Sequence, residues 1–208
     1  RSIHTVGDFC EGNGWQYTFF APQDPYGLIE LFGGDKPFTA KLDDFFTNTD
    51  SMGEGASSDI TGLIGQYAHG NEPSHHVAYL YAYAGEQWKT AEKVRFIMSD
   101  FYTDQPDGII GNEDCGQMSA WYVMSALGFY QVSPGIPVYT LGRPMVNKAS
   151  MHVKGGIFEI VATNNSPANK YVKEVKLNGK VLKAPFISHS DIINGGKLEF
   201  IMTDQPVK

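Results

Sequence analysis

The stretch DCGQMSAWYVMSALGFYQVSPGIPVYTLGRP, residues 114–144, contains the transition that decides the fold class. Its first part predicts a helix over residues 116–127, since Asp114 is a residue type that favours helix N-termini and Gly128 is a typical stop. Three prolines then mark a connecting segment, at Pro134, Pro137 and Pro144. We therefore expect helices before this segment and strands after it, an α+β arrangement rather than an alternating βαβ one.

Helices are predicted throughout residues 1–130, where apolar side chains recur at three- and four-residue steps. The clearest one is His76–Ala84, because Pro73 precedes it and Gly85 supplies a stop. Further helices are expected at Trp88–Tyr102, Gly14–Ala21 and Lys36–Thr47. Residues 48–62 are rich in Gly and Ser, which predicts a polar loop.

The residues after Gln131 are rich in β-branched side chains and predict an antiparallel sheet. Strands are expected at Met151–Val153, Ile157–Ala162, Val172–Leu177, Val181–Leu182 and Leu198–Met202. Asn178-Gly179 lies between two of these runs and is the strongest short signal for a β-hairpin turn. We therefore divide the chain into a helical part, residues 1–130, and a connecting segment followed by strands, residues 131–208.

Composition separates the same two parts and excludes several classes of function. Residues 1–130 hold 6 basic and 18 acidic side chains, whereas residues 131–208 hold 10 and 5, within a total formal charge of −7. An acidic chain is not expected to bind nucleic acid, and without 18 consecutive apolar residues no membrane span is expected. The first part also contains 22 of the 27 aromatic residues, which suits either an aromatic core or stacking on sugar rings.

Three loops combine Gly, Asn and a carboxylate directly ahead of a predicted helix. They are Glu11-Gly12-Asn13, Gly70-Asn71-Glu72 and Gly111-Asn112-Glu113-Asp114. Loops that lead into equivalent helices of an array tend to emerge at one end, so we expect Glu11, Glu72 and Asp114 to meet at one pocket. Converging carboxylates suit either a hard metal ion with oxygen ligands or an acid/base pair. The plainer alternative is that each residue only caps a helix.

The run Glu72-Pro73-Ser74-His75-His76 leaves two interpretations of its histidines open. A di-iron site would need a second Glu-x-x-His, which the sequence lacks. Zinc would need further His or Cys ligands, since adjacent histidines point in different directions on a helix. His75 or His76 is therefore expected either to bond a ligand or carboxylate, or to be a buried structural histidine.

The chain resembles the calcium-dependent exo-α-mannosidases of glycoside hydrolase family 92 through three stretches in the same order, residues 11–17, 70–76 and 106–122. Residues 125–130 match as well. The resemblance implies a longer enzyme with an N-terminal β-sandwich and a catalytic (α/α)6 toroid. Residues 1–130 would be the later helices of that toroid and residues 131–208 its connection to an antiparallel β region. We therefore expect this chain to be the C-terminal portion and to be inactive alone.

The same resemblance implies roles for individual residues. Glu11 matches the general acid and Asp114 the general base of an inverting glycosidase, while Asn71 and Glu72 match a loop that helps hold Ca²⁺ and the terminal mannose. Substrate contacts are expected from Glu72, His75, Trp15 and Asn112. Many members carry Asp where this chain has Asn112, which leaves Asp114 as the clearer base.

The implied partners are a mannose-containing glycan and the N-terminal portion of the same enzyme, and the implied location is secreted, periplasmic or cell-surface. The alternative from another class is a non-catalytic fragment that binds calcium and carbohydrate. Cys10 and Cys115 adjoin the two acids, so we expect them near the wall of a shared pocket. Two cysteines are too few for a disulfide framework.

Overall fold

The computed structural model describes residues 9–53 and 55–208, which form a helical part followed by two sheets. Its helices are α1 (Gly14–Thr18), α2 (Pro25–Leu31), α3 (Asp35–Thr47), α4 (Leu80–Tyr83), α5 (Gln87–Asp100) and α6 (Gln117–Leu127). Two 3-10 turns, Glu72–Ser74 and Val77–Tyr79, precede α4, and a short hairpin pairs β1 (Leu63–Ile64) with β2 (Tyr67–Ala68). Within these two ranges, no helix has the length and apolar character needed to cross a membrane.

Local sequence explains where α1 begins and where α6 ends. The side-chain oxygen of Asn13 accepts bonds from the N–H groups of Trp15 and Gln16, and the Gln16 side chain accepts the Asn13 N–H at 2.7 Å. At the other end, Gly128 adopts a left-handed conformation with a φ of 100° and ends α6, as predicted.

The long helices are confirmed, whereas short helical segments need correction. The predictions over residues 36–47 and 88–102 correspond to α3 and α5. However, α1 ends at Thr18 instead of Ala21, and α2 was not predicted. Both are single short segments, for which local pattern is a weak signal because packing decides their length.

Two details of the predicted later helices are also wrong. The segment His76–Ala84 is not one helix, since the 3-10 turn Val77–Tyr79 precedes the four-residue α4. Residues 77–82 are all buried, so contacts on every side set their geometry rather than one amphipathic face. Asp114 does not cap α6, because the N-cap position is Gly116.

Aromatic side chains build the core of the helical part. The ring of Phe19 lies 5.0 Å from that of Phe45 and 5.9 Å from that of Phe38, and all three are fully buried. Trp121 of α6 is also fully buried and packs edge-on against Tyr79. The high aromatic content of this part is therefore explained by its core.

The later strands are β3 (Phe129–Tyr130), β4 (Val138–Leu141), β5 (Lys148–Val153), β6 (Gly156–Thr163), β7 (Tyr171–Leu177), β8 (Lys180–Val181), β9 (Phe186–Ser188) and β10 (Gly196–Thr203), with α7 (His189–Ile193) between the last two. All five predicted strands are present. The turn between β7 and β8 is confirmed, with φ values of 49° at Asn178 and 78° at Gly179.

The strands form two sheets, one of which differs from the antiparallel prediction. One sheet has the order β3-β4-β9 and is antiparallel. The other has the order β5-β6-β10-β7-β8, and in it β10 pairs antiparallel with β7 but parallel with β6. The long path through β7, β8, β9 and α7 lets β10 return in the direction of β6. The division at residue 130 and the closed toroid stay predictions.

Candidate active site

The first two acidic loops are joined by a side-chain hydrogen bond. The Asn71 Nδ2 donates to the Glu11 carbonyl oxygen at 2.7 Å, between residues 60 positions apart. Asn71 is buried, whereas the side chains of Glu11 and Glu72 are exposed. The amide therefore fixes the backbone beside Glu11 and leaves both carboxylates facing outward.

The second and third acidic loops approach each other closely at Gly70 and Gly111. A Cβ atom on Gly111 would lie 2.6 Å from Thr61 Oγ1 and 3.3 Å from the Gly70 Cα. Gly111 also has a φ of 76°, a conformation that side-chain-bearing residues rarely adopt. Glycine at this position thus allows the loop that carries Asp114 to approach the loop that carries Glu72.

Asp114 lies half-buried among other acidic groups. Its pKa is raised, first by partial burial and then by the negative charges of Glu72 and Asp59, while His75 acts in the opposite direction. Glu113 adds a smaller upward effect on the pKa. The structure therefore brings Glu72 into the electrostatic environment of Asp114.

Left-handed backbone is concentrated at these loops. Among the described residues, five that are not glycine have positive φ, and three of them are Glu11 at 51°, Asp114 at 55° and Cys115 at 55°. The other two are asparagines, which tolerate this conformation well. Each such residue costs on the order of 1–3 kcal/mol, and such strain clusters at functional sites.

The surroundings of His75 and His76 favour structural roles. His75 is 2% exposed; its Nε2 donates to the His69 carbonyl at 2.9 Å, and its Nδ1 accepts from Gln117 at 3.0 Å. His76 donates from Nε2 to the Phe19 carbonyl at 2.9 Å. Burial lowers the pKa of both histidines to about 4, so both are neutral near pH 7. His75 thus has no ring nitrogen left for a ligand.

Trp15 and Asn112 occupy different surroundings. Trp15 is half-buried against the helical core, where its ring stacks on Phe45 and Lys41 Nζ lies 3.6 Å from the ring centre. Asn112 is exposed, and its Nδ2 donates to Asp59 Oδ1 at 3.4 Å. Asn112 is therefore near the acidic group around Asp114, whereas Trp15 is held by core contacts.

The sequence did not predict two residues that lie beside the site, Asp59 and His69. Asp59 lies in the segment predicted only as a polar loop, and no local motif marks it. His69 is fully buried, with Nδ1 bonded to the Tyr67 hydroxyl at 2.8 Å and Nε2 to the Tyr102 hydroxyl at 2.7 Å. Its position directly before the Gly70-Asn71-Glu72 loop was the one available signal.

The donor atoms of these loops are of the type that Ca²⁺ prefers. The loops carry carboxylate and amide oxygens. Thr61 Oγ1 is buried beside Gly70 without a hydrogen-bond partner in the described residues. In residues 9–53 and 55–208, no three His, Cys, Asp or Glu side chains are grouped closely enough to hold a metal ion. The residues fit calcium by chemistry, with amide, carbonyl and water oxygens needed to complete a ligand set.

The two cysteines flank the acids on the surface. Cys10 and Cys115 are both exposed, and neither forms a disulfide. The Cys10 carbonyl accepts a bond from the Tyr17 hydroxyl at 2.6 Å, which ties the first loop to α1.

Three comparisons relate the chain to known proteins. The catalytic-domain profile of glycosyl hydrolase family 92 matches residues 2–204. A family GH92 α-mannosidase from Bacteroides thetaiotaomicron, solved with mannoimidazole, is 41% identical with a TM-score of 0.92 over 99% of this chain and 28% of that one. An inverting family GH92 mannosidase from Bacteroides thetaiotaomicron VPI-5482 is 36% identical, with a TM-score of 0.85 over 99% of this chain and 29% of that one.

A curated relative from Arthroderma benhamiae, described as an uncharacterized secreted glycosidase, is 31% identical over 192 residues. The match covers 90% of this chain and 23% of the relative. The chain thus spans about a quarter of the length of the proteins it matches.

Proposed function

Because this chain belongs to glycosyl hydrolase family 92, we propose that it is the C-terminal part of an exo-α-mannosidase that acts with inversion. The observation that carries the proposal is the meeting of acidic loops from distant parts of the chain. Asn71 donates to the Glu11 carbonyl, and the charge of Glu72 raises the pKa of Asp114. One solved relative is an α-mannosidase and another is an inverting mannosidase, which supports the same chemistry here.

In the proposed reaction, Asp114 is the general base and Glu11 is the general acid. Asp114 accepts a proton from the water that attacks the anomeric carbon, and Glu11 donates a proton to the leaving oxygen. The raised pKa of Asp114 supports its role, since a more basic carboxylate accepts the proton more readily. Inversion requires a carboxyl separation of roughly 6.5–9.5 Å, which leaves room for the water.

Asn71 and Glu72 are the residues that would hold Ca²⁺. The bond from Asn71 Nδ2 to the Glu11 carbonyl leaves the amide oxygen as the part of this side chain suited to a cation. When bound, Ca²⁺ would supply positive charge to the sugar hydroxyls and to the surrounding carboxylates.

The proposed substrate is a glycan with a terminal α-linked mannose. Glu72, Asn112 and Trp15 are the proposed substrate contacts, and we assign His75 an indirect role, since both of its ring nitrogens are bonded within the protein. The N-terminal portion of the same enzyme would complete the pocket. The secreted relative supports a location outside the cytoplasm, whether secreted, periplasmic or cell-surface.

The test is an assay of the whole enzyme that carries this chain, on an aryl α-mannoside and on α-linked mannobioses. We expect NMR to detect β-mannose as the first product, and a chelator to abolish turnover until Ca²⁺ is restored. First release of α-mannose contradicts inversion, and activity after exhaustive chelation contradicts the calcium assignment.

The same assay distinguishes the proposed enzyme from the alternative function. A non-catalytic fragment that binds calcium and carbohydrate would bind mannose in calorimetry, while the whole protein would release none from either substrate. We also expect the isolated 208-residue chain to be inactive, because a pocket shared with the N-terminal portion would be incomplete. Calcium-dependent turnover by this chain alone contradicts that expectation.

A further inference from the structure

An unusual turn carries the proposed base Asp114. Asp114, Cys115 and Gly116 have φ values of 55°, 55° and 99°, so three consecutive residues are left-handed. The first two carry side chains, for which this conformation is unfavourable. Some interaction outside these three residues must therefore hold the turn.

Glu113, the residue before this turn, accepts hydrogen bonds from the last residue of the turn and from the first turn of α6. Its Oε2 accepts the N–H of Gly116, its Oε1 accepts the N–H of Ser119 at 3.2 Å, and its own carbonyl accepts the N–H of Met118 at 3.2 Å. Gly116, the N-cap residue of α6, has no side chain to do this. The hydrogen bonds from Ser119 and Gly116 lower the pKa of Glu113, which keeps its carboxylate ionised as an acceptor.

We propose that Glu113 is a positioning residue for Asp114, which it holds in the reactive orientation by clamping the left-handed turn at residues 114–116. This inference rests on the proposed function, because it assigns a partner to the proposed general base. Glu113 touches neither water nor substrate in this role. Its hydrogen bonds connect residue 113, directly before the left-handed turn, to the first turn of α6. The backbone of Asp114 is therefore held in place from both ends of the turn.

The variants are chosen to change the conformational cost of the left-handed turn. If Glu113 offsets the cost of the left-handed turn, a second change that removes this cost should replace it. Cys115→Gly is such a change, since glycine adopts positive φ without penalty. Cys115→Ser is its matched control, because serine keeps the Cβ atom and with it the penalty.

The experiment measures kcat and KM of the whole enzyme on an α-linked mannobiose. Glu113→Ala should lower kcat about 10- to 100-fold with KM nearly unchanged, as expected for a misplaced catalytic group. Glu113→Gln, which keeps one acceptor oxygen, should lose less. Glu113→Ala with Cys115→Gly should recover about tenfold in kcat, since the penalty removed is of that order, whereas Glu113→Ala with Cys115→Ser should recover none.

Several outcomes would overturn the inference. Glu113→Ala with kcat within twofold of wild type does so, as does a loss that Cys115→Gly fails to restore. A fall in melting temperature with normal kcat at a temperature where the enzyme is folded would show that Glu113 only caps α6. Asp107→Asn, which removes an exposed carboxylate of the preceding loop, should leave kcat unchanged.

A failure of the proposed function can be distinguished from a failure of the inference about Glu113. A wild-type enzyme that releases no mannose refutes that function and the catalytic part of this inference together. The melting temperatures of the same variants then decide whether Glu113 holds the turn. A fall with Glu113→Ala that Cys115→Gly reverses and Cys115→Ser does not supports the clamp, and equal melting temperatures refute it.

Discussion

The helical part and the five-stranded sheet bury different kinds of side chain. The helical part buries a set of polar side chains in addition to its aromatic core: Asn13, Gln16, Gln66, His69, Asn71, His75 and His76. The five-stranded sheet buries apolar residues such as Phe158, Ile160, Leu198 and Phe200. Burying a polar group costs stability unless it is hydrogen-bonded. These buried polar side chains of the helical part are hydrogen-bonded, and one of these bonds, from Asn71 to the Glu11 carbonyl, joins two of the acidic loops.

This difference predicts that activity and stability can be separated by mutation. Asp114→Asn should lower kcat about 10²–10⁴-fold on every substrate, since water activation is always required. Glu11→Gln should spare aryl mannosides with good leaving groups, which need little proton donation. Steady-state kinetics with aryl and disaccharide substrates measures both. Rescue of Asp114→Asn by a better leaving group would reject Asp114 as the base.

A core mutation in the five-stranded sheet should lower stability and leave kcat unchanged. Phe200 is fully buried in β10, so Phe200→Ala should lower the free energy of unfolding by about 3–5 kcal/mol. The folded fraction of the whole enzyme should keep its wild-type kcat. Urea titration measures the loss, with Val181→Ala on the exposed side of β8 as a control expected within about 0.5 kcal/mol. A fall in kcat of the folded variant would show that the two parts are coupled.

The buried histidines should make the helical part sensitive to acid. The pKa values of His75 and His76 are lowered to about 4, whereas unfolded histidine has a pKa of about 6.5. The unfolded chain therefore binds more protons between these values, and stability falls as the pH decreases from about 6.5 to 4. Each histidine contributes a slope of up to about 1.4 kcal/mol per pH unit.

Urea unfolding at several pH values tests this. His76→Gln should reduce the slope by about 1.4 kcal/mol per pH unit relative to wild type. His152→Gln is the matched control, because His152 lies on β5 and outside the buried polar set. An unchanged slope in His76→Gln would mean that His76 titrates normally in the folded protein.

The smallest expected effect concerns the turn of the sheet part. Gly179 has a φ of 78°, and a Cβ atom there would meet nothing within 4 Å. Gly179→Ala should therefore cost only the conformational penalty, about 1–2 kcal/mol, and Lys180→Ala beside it should cost less. Thermal unfolding measures both. A loss of several kcal/mol would mean that the stability of the whole sheet depends on this hairpin.

The two parts also differed in how well their sequence predicted them. Five of the eight later strands were predicted because their runs are rich in β-branched side chains. The short strands β3, β4 and β9 were not predicted. The single helix predicted over residues 76–84 was wrong because residues 77–82 are buried on every side, so packing rather than one apolar face sets their geometry. The parallel pairing of β6 with β10 could not be predicted, since no local pattern encodes which strand enters the middle of a sheet.

The candidate site was predicted as a set of loops but not as a network. The repeated Gly, Asn and acid pattern pointed to Glu11, Glu72 and Asp114, whose roles stay predictions. The pattern could not identify Asp59, which acts on Asp114 from a loop without a motif. Nor could it predict that Glu113 would supply the bonds at the start of α6 instead of Asp114.

The central position of β10 has a consequence for how this chain folds during synthesis. β10 lies between β6 and β7, although both of these strands precede it in the sequence. On a ribosome, which releases the chain from its N-terminal side, β6 and β7 would emerge with open edges and wait for their shared neighbour. The sheet therefore closes only after β10 has emerged, and stalling before that point leaves two exposed strand edges that invite pairing with other chains.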